Sequence, residues 1–244
     1  MSSCYIVSSW GGRRRKRDNP KALADGAFYL REHIGKLASC KNIDRIVVAA
    51  PKCPNPTKGY EEYLRELEAR GKTGLIPVEV FRRANIGLAY GSYNDVYGRY
   101  RTQFDSYFVA EDDYIPAVPG LDGILLGMMK ASPKCGFLCG LVWPVKGDYY
   151  GCAAIFLGVL RTATLEKIWA RQKCLARFTG CEYLEAEEVG QLGISRAITA
   201  AGYEIQDWTA RYSSPFWYDG VVKVFGNPAL PPLYALGQTL GPHP

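Results

Sequence analysis

Short runs of β-forming residues alternate with amphipathic segments along most of this 244-residue chain. That alternation is the strongest constraint on its fold, because strands joined by helical crossovers lie parallel in one sheet and carry the helices on its faces. Cys4 to Ser9 reads as the first strand. Asn19 to Ala38 reads as a helix, with Pro20 in its first turn and Leu23, Ala27, Leu30, Ile34 and Leu37 at three- and four-residue spacing. His33, inside that helix, is expected on its surface. Ile43 to Ala50 and Ile76 to Phe81 are the next strands, separated by a charged helix, Tyr60 to Arg70, that Gly71 stops. A helix from Gly91 to Arg101 leads to the strand Ser106 to Ala110. Beyond it come a helix (Leu121 to Lys130), strands at Cys135 to Val142 and Cys152 to Leu157, and helices at Thr164 to Gln172 and Ala186 to Ala201.

The fold class expected is therefore α/β: a mixed, mostly parallel sheet flanked by helices in a single domain, residues 1–210. Residues 211–244 carry Pro215, Pro228, Pro231, Pro232, Pro242 and Pro244, which predicts an irregular arm packing on the domain, with Val221 to Phe225 its one strand candidate. With 48% hydrophobic residues, the chain can bury a core of this size. Its longest charge-free stretch, Tyr149 to Leu160, is 12 residues, short of the roughly 20 that span a bilayer. No transmembrane segment is expected, although a peripheral membrane contact is compatible with the sequence. The apolar run Cys4 to Trp10 precedes the basic cluster, the reverse of a secretory signal, so a cytoplasmic location is expected.

Several of the eight cysteines (Cys4, Cys135, Cys139, Cys152) sit inside apolar runs and read as reduced packing residues. The Cys135–Cys139 spacing lacks the second pair or nearby histidine that a zinc site needs. A net charge of +6 suits an anionic small molecule or surface as readily as nucleic acid. No RNA-recognition motif is present, and no nucleic-acid partner is expected.

The chemistry-bearing feature is the triplet Glu111-Asp112-Asp113, which follows an apolar strand directly. Three adjacent carboxylates repel one another unless a cation neutralises them. Along an extended chain Glu111 and Asp113 point to one side and Asp112 to the other, so two oxygens can converge on one Mg2+ or Mn2+ that also holds ligand phosphates. A strand's carboxyl end is also where open α/β sheets bind ligands.

Three segments, Arg83-Ala84-Asn85-Ile86-Gly87, Gly91-Ser92-Tyr93-Asn94 and Phe104 to Asp113, resemble nucleotide-sugar glycosyltransferases of the GT-A fold, in particular the inverting group called family 2. They look like that family's asparagine-glycine segment, the helix after it, and the strand ending in its Asp-x-Asp motif, with Glu in first place. The resemblance implies a Rossmann-like GT-A domain and a metal-dependent, inverting transfer of a sugar from a nucleotide-diphosphate sugar to a carbohydrate or glycoconjugate acceptor. It assigns the ribose contact to Glu111, the metal to Asp113 with Glu111, and nucleotide contacts to Arg83, Asn85 and Asp112. Gly151 to Phe156 is similar to the small-residue strand on the acceptor side. Glu185-Ala186-Glu187-Glu188 looks like the family's Glu-Asp helix, which makes Glu187 or Glu188 the catalytic base; both also fit a solvated acidic first turn.

Two other readings compete. Ser9-Trp10-Gly11-Gly12-Arg13-Arg14-Arg15 with Asn19-Pro20-Lys21 resembles the glycine-arginine loop and proline-lysine pair of nucleotidyltransferases, which build activated sugars or alcohols from nucleoside triphosphates. The Arg13–Arg17 run would then hold phosphates; it equally fits a solvated loop. The aromatic content of 13% also suits a non-enzymatic carbohydrate- or RNA-binding module.

Overall fold

The computed structural model describes residues 2–12, 20–116, 118–140, 142–143, 152–153, 157–208 and 216–218. Eight strands form one sheet in the spatial order β11 (Glu204–Asp207), β7 (Cys135–Cys139), β10 (Leu157–Arg161), β5 (Ser106–Glu111), β1 (Ser3–Ser8), β2 (Arg45–Pro51), β4 (Ile76–Arg83) and β3 (Lys72–Thr73). β1 pairs in parallel with β2 and β5, and β2 with β4; only β10 and the two-residue β3 run against the rest. The expected mixed, mostly parallel, Rossmann-like GT-A-type sheet is what forms.

Every residue of β1 is buried, as a central strand covered on both faces must be. Its alternate side chains enter two cores. Tyr5 and Val7 join Val48 and Phe108 against helices α2 (Phe28–Leu37), α3 (Tyr60–Arg70) and α5 (Leu121–Ala131). Cys4 and Ile6 join Val47 and Val109 against α4 (Leu88–Tyr100), α6 (Thr162–Gln172) and α8 (Gly193–Ala200). Leu30, Ile34 and Leu37 of α2 are all buried, each contributing about 2 kcal/mol by removing its side chain from water.

The structure corrects several element boundaries. The single helix expected over Asn19 to Ala38 divides into α1 (Pro20–Ala24) and α2, because Asp25 Oδ1 accepts the Ala27 N–H at 2.9 Å and Gly26 donates to Lys58 O at 2.8 Å. Side-chain capture of a backbone donor competes with helix. The strand expected from Cys135 to Val142 ends at Cys139, and β8 (Val142–Trp143) pairs instead with β9 (Cys152–Ala153) in a separate ribbon. Leu157, expected to end a strand, begins β10. Gly158 hides that strand from a propensity reading, yet a Cβ there would lie 2.5 Å from Leu138 O, so the close approach of β7 requires glycine.

The expected helix Ala186 to Ala201 follows α7 (Tyr183–Glu185) as a π-helical segment, Ala186–Leu192, and then α8. A strand unread in the sequence, β6 (Tyr114–Pro116), pairs antiparallel with β12 (Phe216–Tyr218), which brings part of the proline-rich tail beside the acidic triplet. The strand candidate Val221 to Phe225 lies outside the described residues. Among the described residues seven cysteines are free, with Cys4, Cys135 and Cys139 buried, and no helix is long and apolar enough to cross a membrane.

Candidate active site

From β1 the chain builds outward through β2 to β4 and then returns to place β5 on the other side of β1. The crevice at the carboxyl ends of β1 and β5 is thus a topological switch point, where loops diverge and leave room for a ligand. Register aligns Ser8 with Glu111 at these ends. The next residues on one side are Ser9 to Gly12, leading into the basic run Arg13–Arg17, which lies outside the described residues. On the other side are Asp112 and Asp113.

Strand alternation stops at Glu111, and Asp112 and Asp113 form a turn before β6. Glu111 is half-buried, whereas Asp112 and Asp113 are 3% and 1% exposed. The Asp112 carboxylate faces inward: Ser9 Oγ donates to Asp112 Oδ2 at 2.6 Å, and Tyr60 donates its hydroxyl to Ser9 O at 3.0 Å. Glu111 faces the other layer, where Tyr93 of α4 is fully buried; burial first, then the Glu111 charge, raises the Tyr93 phenol pKa well above its ordinary value. Gly11 is held close to Tyr60, since a Cβ on it would lie 2.2 Å from that ring, and its carbonyl accepts from Thr57 N and Oγ1 at 2.7 and 2.8 Å.

His33 is the residue that the sequence reading misplaced. It is fully buried, not on the helix surface. Its position three after Leu30 and four before Leu37 was the available signal, since that spacing lies on the apolar stripe of α2. His33 Nδ1 is 3.1 Å from Asp112 O and Nε2 is 3.1 Å from the Tyr5 hydroxyl. Burial lowers its pKa to about 4, against the smaller raising effect of Asp112.

Arg83 is buried at the end of β4 and ties down the loop that follows. Its Nε donates to Asp95 Oδ2 at 2.8 Å and its Nη2 to Ile86 O at 2.5 Å. Asn85 lies in that loop, half-buried, with no hydrogen-bond partner for its Oδ1 among the described residues. A cleft of about 350 Å3 opens at the ends of β2 and β4, lined by Pro51, Lys52, Cys53 and Arg82 among others.

Glu188 is exposed in the π-helical segment, and no hydrogen bond among the described residues joins it to the Glu111–Asp113 turn. The Glu187 side chain lies outside what the structure describes. Glu185 accepts from Thr179 N and Oγ1 at 2.6 and 2.7 Å and from Gly180 N at 3.0 Å, which lowers its pKa. The segment packs on α4, where Tyr90 donates to Gln191 Oε1 at 2.9 Å. Of the residues picked from sequence, the fold gathers Glu111, Asp112 and Asp113 at the switch point, puts Arg83 at the end of β4 and Asn85 in the loop after it, with β2 between β4 and β1, and sets Glu188 on a separate segment.

Among the described residues no group of three or more His, Cys, Asp or Glu side chains is arranged to hold a metal ion. One or two carboxylates are the usual protein share at a Mg2+ whose remaining ligands are waters and substrate phosphates; Glu111 and Asp113 stand one residue apart at this turn, and Asp113 Oδ1 is buried.

No protein-family model matches the sequence, and no curated protein does. Solved structures do match. A cytidylyltransferase from Leptospira borgpetersenii is 16% identical, with a TM-score of 0.51 over 85% of this chain and 75% of that one. This chain shares its fold. A CMP:2-keto-3-deoxy-manno-octonic acid synthetase complexed with CTP (14% identity, TM-score 0.47, 85% and 89% coverage) and a 4-diphosphocytidyl-2C-methyl-D-erythritol synthase (10%, 0.49, 98% and 98%) also match, at lower scores.

These comparisons correct the expected activity. The solved structure whose fold this chain shares is a cytidylyltransferase, so the likeness to family 2 glycosyltransferases narrows to the GT-A-type fold alone. Glycosyl transfer, with its nucleotide-sugar donor, is overturned as the reading of the site.

Proposed function

We propose that this chain is a nucleotidyltransferase, which transfers a nucleoside monophosphate from a nucleoside triphosphate to a sugar-phosphate or alcohol-phosphate acceptor. The observation that carries the reading is the alignment of Ser8 with Glu111 across parallel neighbours. It sets the Gly11-Gly12 loop at the same sheet edge as the Glu111–Asp113 turn, and in the sequence five cations, Arg13 to Arg17, follow that loop directly. A triphosphate needs cationic and backbone donors along its phosphates. The shared fold with a cytidylyltransferase supports the same reading and makes CTP the first nucleotide to test.

In the reaction, an oxygen of the acceptor phosphate attacks the α-phosphorus. The bond from that phosphorus to the bridging oxygen of the β-phosphate breaks, and pyrophosphate leaves with the electron pair. The acceptor is already anionic, so no base is required; the work lies in positioning and charge neutralisation. Glu111 and Asp113 would hold Mg2+ or Mn2+, which neutralises phosphate charge when bound. Arg83 ties the loop after β4, which carries Asn85, to α4 through its bonds to Asp95 and Ile86.

The test is pyrophosphate release from each of the four nucleoside triphosphates with Mg2+ and a panel of sugar and alcohol phosphates, alongside thermal shifts with the same nucleotides. Ligand stabilisation grows with affinity. Stoichiometric pyrophosphate with one triphosphate supports the reading; absence of both pyrophosphate and nucleotide stabilisation overturns it.

A further inference from the structure

The acidic triplet is built around its middle member. Asp112 N donates to Ser8 O at 3.0 Å, the Asp112 carboxylate accepts from Ser9 Oγ at 2.6 Å, and the Asp112 carbonyl lies 3.1 Å from His33 Nδ1. Backbone amide, side chain and carbonyl are thus each engaged, two by β1 and its loop and the third by α2. With this residue fixed, the chain directions into Glu111 and out of Asp113 are fixed as well.

The partners also settle which nitrogen of His33 carries the proton. A carbonyl oxygen only accepts, so Nδ1 must be the N–H that donates to Asp112 O. Nε2 is then the acceptor, and it takes the Tyr5 hydroxyl proton at 3.1 Å. Tyr5 is itself held by stacking on Phe108 of β5, ring centroids 5.5 Å apart with planes 6° from parallel, and meets the His33 ring edge-on at 5.6 Å. A histidine embedded in this way cannot swing toward a ligand. It transmits the position of α2 and β1 to the turn.

We infer that His33 is a positioning residue for the Glu111–Asp113 turn: its Nδ1–H, backed by Tyr5 at Nε2, clamps the Asp112 carbonyl and so sets where the flanking carboxylates sit. The inference rests on the nucleotidyltransferase reading for its consequence in turnover, but its structural part stands apart from it. Partners that orient functional groups in this manner typically change activity about 10- to 100-fold when removed.

The experiment uses the full chain and three variants. An asparagine amide reaches the Nδ1 position and keeps a donor for Asp112; a glutamine amide reaches the Nε2 position and keeps only the Tyr5 side; leucine keeps neither. Nitrogen NMR of the wild type, which has only two histidines, is expected to show His33 as the Nδ1–H tautomer; an Nε2–H tautomer overturns the clamp. Hydrogen exchange at the amides of residues 112–114 is expected to be about tenfold faster or more in His33→Leu and His33→Gln, and near wild type in His33→Asn. Equal exchange in His33→Asn and His33→Gln overturns it, and these two serve alone if the leucine variant does not fold.

In the pyrophosphate assay, His33→Gln should lower kcat about 10- to 100-fold with little change in KM for the triphosphate, and His33→Asn should recover most of the loss. Losses in the two variants that merely track their thermal stabilities overturn the positioning role. A wild-type protein that releases no pyrophosphate removes the nucleotidyltransferase reading, and the tautomer and exchange results still decide the clamp.

Discussion

Ser9 and Asp112 meet at 2.6 Å across the ends of two parallel neighbours, one just past β1 and the other just past β5. Both are buried, and Tyr60 donates to Ser9 Oγ from α3 at 3.1 Å, so a hydroxyl chain of three residues from three elements ends on one carboxylate. Hydrogen bonds to charged acceptors contribute about 1.5–3 kcal/mol. Ser9→Ala is expected to lower unfolding stability by that amount in urea titration, with Tyr60→Phe costing less because Ser9 keeps its bond to Asp112.

The buried His33 makes stability depend on pH in a stated direction. Its folded pKa of about 4 lies below the ordinary 6.5. Between those values the unfolded chain binds a proton that the folded chain refuses, so stability is full above pH 6.5 and falls as pH drops toward 4, by on the order of 3 kcal/mol. Glu185, whose pKa is lowered by Thr179 and Gly180, loses its contribution on the same acid side. Comparing His33→Asn with wild type isolates the histidine: the variant should show a flatter profile in denaturant titrations from pH 7 to 4.5.

Arg83 is buried while its partner Asp95 is 39% exposed at its side chain. Breaking the pair from the arginine side leaves the Ile86 carbonyl without its donor; breaking it from the aspartate side leaves a buried cation with only neutral partners, the Ile86 and Leu88 carbonyls and the Ser92 hydroxyl. Arg83→Lys is expected to cost about 2 kcal/mol, since a lysine cannot span Asp95 and Ile86 together. Asp95→Asn should cost about 1 kcal/mol. A double-mutant cycle by chemical denaturation measures the coupling.

Gly91 opens the first full turn of α4 against the same loop. A Cβ there would lie 1.8 Å from Ile86 O and 2.6 Å from Arg83 Nη2. Gly91→Ala is expected to destabilise by about 3 kcal/mol or more, because the atom it strikes is backbone. A melting temperature unchanged from wild type would show that this loop yields.

Asp113→Asn preserves shape and removes charge at the turn. Nucleotidyl transfer is expected to drop at least about 100-fold, with the circular dichroism spectrum retained and the dependence on added Mg2+ lost. Unchanged turnover would remove Asp113 from the metal-holding role.

The fold was largely legible because strands buried on both faces spell themselves out as uninterrupted apolar runs, as in Ile46 to Ala50, while helices show a stripe. What escaped reading depended on neighbours distant in sequence. The strand expected over Cys152 to Leu157 instead begins at Leu157, and its Gly158 sits where β7 presses against β10. Tyr114 to Pro116 became a strand only because residues a hundred positions later lie beside it. Asp25 divided a helix by taking the Ala27 N–H for itself.

The site was legible in part. Glu111, Asp112 and Asp113 announced a ligand edge, but the same acidic strand end serves more than one nucleotide chemistry, and the glycosyltransferase likeness followed the wrong branch. The sequence alone determined that an α/β sheet would carry carboxylates at the carboxyl end of a central strand, since apolar periodicity and strand-end charge are local properties. Only the tertiary structure decided that Asp112 turns inward to Ser9 and that His33 backs it. Those relations join residues 103 and 79 positions apart, and such closeness is created by chain packing rather than by any local preference.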